Sequence, residues 1–90
     1  MHEIKIAEKG FKEVVEGRKC FEVRKNDCGY QVGDLVVMKE YVDGNYTDRF
    51  VRVRITYILE NIPGIEKGYC VWGFAVKGWG YIGEEGEEDE

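Results

Sequence analysis

The densest run of chemically useful side chains lies between Gly17 and Asp27. Arg18, Lys19, Arg24 and Lys25 supply four bases there, and Glu22 and Asp27 two acids. Such bases suit phosphate oxygens, arginine through its forked donors and lysine as a point charge. An ionised carboxylate such as Glu22 offers only acceptors, so it can take the exocyclic amino group of a nucleobase. It can equally act as a general base or a nucleophile. In an extended chain Glu22 and Arg24 share a face, where they either pair with each other or converge on a ligand. The plainer alternative is a half-exposed strand whose ion pair contributes little.

Other residues could join such a site. Lys25 and Lys5 are candidate phosphate contacts, and His2 could approach beside Lys5. Arg49, Arg52 and Arg54 form a second basic stripe, on the strand face turned away from Val51 and Val53; its plainer reading is a solvated sheet face. Tyr30, in the turn after the charged segment, could stack on a base, because loops carry contacts. Trp72 alternates with Cys70 and Phe74 and reads as core. Trp79, between two glycines, could stack on a ligand or fold back over the end of the domain. Asn26 and Asp27 read as turn formers. Cys20, Cys28 and Cys70 form no CxxC pair and there is one histidine. That pattern suits neither a disulfide framework nor a zinc site, so no metal or cofactor is expected; Cys20 and Cys70 read as small apolar strand residues.

These side chains must be held by a small body. Ninety residues allow one domain, and the net charge of −5 argues at first against a nucleic-acid partner. Six of the acids, however, fall within residues 84–90. Without them 12 acids face 13 bases over residues 1–83. The expected organisation is therefore a near-neutral folded domain, 1–83, and a disordered acidic tail, 84–90, which could dock on a basic protein partner. No apolar run approaches the roughly 20 residues of a membrane span, and no signal-peptide stretch follows Met1. A cytoplasmic protein without membrane contact is expected.

The elements follow from periodicity. His2, Ile4 and Ile6 alternate as an edge strand. Phe11, Val14 and Val15 at i, i+3 and i+4 predict a helix over about 8–16, closed by Gly17. Phe21 and Val23 alternating with Glu22 and Arg24 predict a strand with one apolar and one mixed face. Leu35–Met38 reads as a central strand, and Asp43-Gly44-Asn45 as the hairpin leading to the next. That next strand points Val51, Val53, Ile55 and Tyr57 one way and Arg52, Arg54 and Thr56 the other. A last strand runs from Tyr69 to Val76, with a bulge at Gly73. One short helix and five or six strands point to an α+β, mostly β, partly open barrel plugged by the helix, with sandwich packing as the alternative. The barrel is favoured because the long hairpin from Leu35 to Tyr57 must curl to cover its apolar face.

The segment Gly17-x-Lys19-x-x-x-x-Arg24 matches GxKxxxxR, and the chain here resembles the ASCH domains of the PUA-like superfamily. His2-Glu3-Ile4-Lys5, Phe21 through Asp27, Gln31-Val32-Gly33-Asp34 and Gly68-Tyr69-x-Val71 are similar to blocks of a small ASCH-like family of bacteria and phages. The resemblance runs from His2 to about Phe74. It implies a PUA-like pseudo-barrel closed at one end by a helix, and RNA binding in a cleft beside the signature. One ASCH branch hydrolyses acetylated cytidine with the signature Lys, a Thr three residues on and a downstream Glu. Lys19 matches that Lys, but Glu22 stands where the Thr would be, and Thr47 and Thr56 lie outside the motif. The expectation is thus an RNA- or nucleotide-binding module lined by Lys19, Glu22 and Arg24, with Lys5, Lys25, Tyr30, Arg52 and Arg54 as further contacts. The alternatives are a modified-nucleoside hydrolase, using Lys19 and Glu22 with Glu40 or Glu60 as the distant acid, and a protein-interaction module.

Overall fold

In the computed structural model, which describes residues 1–82, one helix and five strands follow the chain. These are β1 (His2–Ile6), α1 (Glu8–Val15), β2 (Phe21–Lys25), β3 (Leu35–Val42), β4 (Asn45–Glu60) and β5 (Tyr69–Tyr81). They form a single sheet in the order β1-β3-β4-β5-β2, antiparallel except for the parallel β1–β3 pair. The sheet curls until its two edges meet. Arg24 Nη2 on β2 donates to the Lys5 carbonyl on β1 at 3.0 Å, and the Tyr30 ring lies 4.7 Å from His2. The result is the mostly β, open barrel with one short helix that the periodicity implied. The proposed tail, 84–90, lies outside the described residues.

The helix plugs the barrel because Phe11 and Val14, its buried residues, pack on Val36, Met38, Val51, Val53, Ile55, Trp72 and Phe74. Its end sets the path of everything that follows. Gly17, at φ +82°, takes the left-handed conformation after the Glu16 cap. Gly17 N then donates to Val14 O (3.0 Å) and Arg18 N to Glu13 O (2.9 Å), a Schellman closure. Across the sheet, Asp43 and Gly44 both have positive φ (52° and 84°), as a two-residue type I′ hairpin between β3 and β4 demands.

Two faces differ from the periodic reading. In β2 the charged side points in: Glu22 and Arg24 register against the buried Trp72 and Cys70, while Phe21 and Val23 are the exposed residues. In β4 the bulge falls at Thr56, opposite the expected Gly73, because Ile55 pairs with Phe74 but Tyr57 already pairs with Gly73. One extra residue reverses the alternation beyond it. Tyr57 therefore faces solvent at 61% exposure, and Ile58 packs on the core instead. Of the cysteines, all free, Cys70 is buried in β5 as expected, whereas Cys20 is exposed just ahead of β2. Burial pushes the Cys70 thiol up.

Candidate functional site

The Schellman turn aims the chain back along the helix end, where Lys19 N reaches Glu13 O at 3.1 Å. Lys19 then stands beside β2 with its ammonium 2.5 Å from Glu22 Oε1. Arg24, two residues further along the same strand face, donates its Nε to Glu22 Oε2 at 2.9 Å. Each oxygen of one carboxylate thus holds one cation. Glu22 is 5% exposed, while the Lys19 and Arg24 side chains keep 29% and 33% of their surface. The three form a net positive group whose acid is inside and whose bases reach solvent. A guanidinium carries five N–H donors, more than Glu22 and the Lys5 carbonyl use.

Glu22 and Arg24 of this group line a cleft of about 430 Å³ with Val23, Lys25, Asp27, Tyr30 and Tyr69, whereas Lys19, expected to line it too, is held on Glu22 and is not part of its wall. Lys25 is exposed on its rim. Tyr69 is the residue the sequence reading missed. It registers opposite Lys25, and its place at the start of β5, directly after the Gly68 turn, was the available signal. Asn26 has the turn-forming role expected of it: its Oδ1 accepts from Tyr30 N (3.0 Å) and its Nδ2 donates to Glu60 (2.9 Å). That bond also occupies Glu60, one of the two candidate distant acids.

Several expected contacts are placed differently. Tyr30 is 8% exposed and packs on Trp72 with ring centroids 5.3 Å apart, so it forms a wall rather than an open stacking platform. Burial, then a hydrogen bond with Cys28, pushes its phenol well above the ordinary tyrosine range. Lys5 is not part of the cleft wall: its carbonyl accepts from Arg24, and its ammonium sits 4.4 Å above the Tyr41 ring. His2 is half-buried and binds Asp34 (2.8 Å), which holds the Asp34 carboxyl below its usual range. Trp72 is core, fully buried as anticipated.

The second stripe is divided. Arg49 turns to the other end of the barrel, where it grips the buried Glu40 at 2.7 and 2.8 Å; Thr47 adds a 2.6 Å bond. The Arg49 bond, then Thr47, holds Glu40 below the usual carboxylate range, and the Glu40 bond holds Arg49 above its own. Glu40, the other candidate distant acid, is therefore committed there. Arg49 also lies 4.7 Å over the Phe11 ring, in a groove of about 600 Å³ that includes the half-exposed Trp79. Arg52 and Arg54 stay on the outer face of β4, where Arg54 donates to Gly33 O at 2.9 Å.

A family model described as "Domain of unknown function (DUF3850)" matches residues 1–74, a span that contains the whole cleft. The chain belongs to that family. The DUF3850 chain is also similar to the "Uncharacterized 12.9 kDa protein in GpA 3'region" of Escherichia phage P2, with 42% identity over 60 residues. The matched stretch is 67% of the DUF3850 chain and 55% of the phage protein, so the chain spans about half the length of that relative. Among the described residues no His, Cys, Asp and Glu side chains group to hold a metal ion. No helix among them is long and apolar enough to cross a membrane.

Proposed function

We propose that this DUF3850 domain is an ASCH-type, PUA-like module that binds RNA or a nucleotide in the cleft beside Gly17–Asp27. The observation that carries the reading is the buried Glu22 carboxylate with Lys19 on one oxygen and Arg24 on the other, at the wall of an open cleft. In this reading Glu22 positions the two cations, and Arg24 and Lys25 present donors to a phosphate. Asp27 accepts from sugar hydroxyls or base amino groups, and Tyr69 supplies a ring face. Holding the cations in advance lowers the entropy lost when a phosphate arrives.

A titration of labelled single-stranded RNA against the protein at several salt concentrations tests this. Affinity should be modest and fall with salt by roughly 0.7 log units per decade for each phosphate held. Lys25→Gln and Arg24→Ala should weaken it. No binding at low salt, or binding that both variants leave unchanged, would overturn the proposal. The hydrolase reading has one observation in its favour, the pairing of the Lys19 ammonium with Glu22 Oε1 at 2.5 Å, which brings together the two polar side chains that reading calls for. Acetate released from acetylated cytidine would move the assignment to that reading.

A further inference from the structure

The sheet carries a second organised surface, on the outer face of β1, β3 and β4. Register puts Lys5 beside Lys39, Val37 beside Arg52, and Leu35 beside Arg54. Their neighbours in sequence, Ile6, Met38, Val51, Val53 and Ile55, are buried, so these four cations share the opposite, outward side. Aromatic rings lie among them. Tyr41 and Tyr46 pair across the strands at 5.0 Å, Lys5 Nζ sits 4.4 Å from Tyr41, and Lys39 Nζ sits 5.9 Å from Tyr46. Glu3 lies on the same face and is bound to Lys39 at 3.1 Å. A shallow depression of about 280 Å³ is set into this face, with Phe50 and Val37 as apolar lining and Lys39 and Arg52 beside them.

We infer that this outer face binds an extended single strand of RNA that continues out of the cleft. The inference rests on the cleft reading above and goes beyond it, because it selects a polynucleotide over a free nucleotide. The two surfaces touch at the seam of the barrel: the residue whose carbonyl Arg24 binds is Lys5, and the Lys5 side chain opens the outer face. A strand with one nucleotide beside Arg24 meets Lys5 next, then Lys39, Arg52 and Arg54. Cations that track the backbone, interleaved with rings that accept any base, are what sequence-tolerant single-strand binding uses. An acidic protein segment would satisfy the charges but leave Tyr46, which is 50% exposed, and the apolar depression unused.

Fluorescence anisotropy of the full chain with a 3-nucleotide and a 12-nucleotide oligouridylate, each over a salt series, tests this. The 12-mer should bind more tightly and with a steeper salt dependence. Changing Lys39→Gln and Arg54→Gln together should reduce the 12-mer slope by about 1.4, two phosphates' worth, and leave the 3-mer unaffected. Tyr46→Ala should weaken the 12-mer by roughly tenfold. Equal slopes for the two lengths, or a 12-mer indifferent to these changes, would overturn the inference while leaving the cleft reading intact if Lys25→Gln still weakens the 3-mer. A 12-mer that depends on Lys39 and Arg54, with no 3-mer binding and no effect of Lys25→Gln, would sustain the outer face and overturn the cleft. Failure of both lengths to bind would overturn both. A 12-residue polyglutamate that displaces the 12-mer as well as unlabelled RNA does would overturn RNA as the occupant.

Discussion

Changing Glu22→Gln should lower stability and raise anion affinity together, an unusual pair of signs that follows from the geometry. The glutamine keeps the shape but loses the charge that holds Lys19 at 2.5 Å and Arg24 at 2.9 Å. Hydrogen bonds to charged groups contribute about 1.5–3 kcal/mol each, and one of the two acceptors survives as an amide oxygen. Lys19 and Arg24 are about one-third exposed, so both cations recover part of their hydration, and the net cost should be about 2 kcal/mol. For a domain of this size that corresponds to a Tm lower by about 8–16 °C. A phosphate bound near Arg24, roughly 6 Å from the lost charge, would feel about 0.7–1.4 kcal/mol less repulsion at an effective dielectric of about 40–80. RNA affinity at low salt should therefore rise, by at most about three- to tenfold, because ordering the freed Lys19 and Arg24 side chains on binding takes back part of the gain. Calorimetric melting and an anisotropy titration read the two effects separately. An unchanged Tm with affinity lost instead of gained would refute the argument, since Glu22 would then be touching the ligand rather than positioning its neighbours.

Three further outcomes follow from other parts of the molecule. Glu40→Gln breaks a carboxylate that is 1% exposed and gripped by Arg49, so it should cost about 2–4 kcal/mol at pH 7. Because the native Glu40 carboxyl is held below its ordinary 4.5, that contribution is constant above about pH 4.5 and lost as pH falls through the native value. Urea unfolding at pH 7 and pH 3 should show the wild-type advantage shrinking at the lower pH. Beyond the Thr56 bulge, Tyr57→Ser should leave stability within about 0.5 kcal/mol, whereas Ile58→Ser should cost about 1–2 kcal/mol; the reverse order in denaturant midpoints would refute the placement of the bulge. Deleting residues 84–90 removes six acids that follow Ile82, a residue lining the outer depression. RNA affinity at low salt should then rise, and the gain should vanish at high salt. If the tail instead docks on a basic protein, its deletion should abolish capture of that partner.

The sequence made most of the elements legible, and it failed where register rather than composition decides. The helix, its glycine closure, the Asp43-Gly44 hairpin and the core position of Trp72 are local signals, and each is where periodicity put it. The inward face of β2 could not be read this way, because Phe21 and Val23 look like a core stripe. Only pairing with β5, which sets Glu22 beside Trp72, turns the charges inside. A single residue at Thr56 likewise reverses Tyr57 and Ile58, and no propensity marks it. Lys39 was passed over as a site residue for the same reason. Nothing along the chain links it to Lys5, and the parallel β1–β3 pairing does.

The signature spacing can be read as a description of the barrel seam. Five strands cannot close this sheet by backbone pairing alone, so β1 and β2 are left as edges whose polar groups need partners. Gly17 ends the helix, and Lys19 follows where the chain turns back past Glu13. Five residues of extended chain then bring Arg24 opposite Cys70, close enough to β1 to bind the Lys5 carbonyl. Glu22 lies between the two cations and neutralises part of their charge inside the wall. Glu22 and Arg24 thus belong both to the seam and to the cleft wall. Loss of RNA binding in Arg24→Ala would carry both meanings at once. Lys25, exposed on the rim, and Tyr69, on the cleft wall beside it, are free of that double role. Lys25→Gln and Tyr69→Leu should leave the melting temperature within about 4 °C of the parent while weakening RNA. Wild-type affinity in both would place recognition elsewhere, however much Arg24→Ala removes.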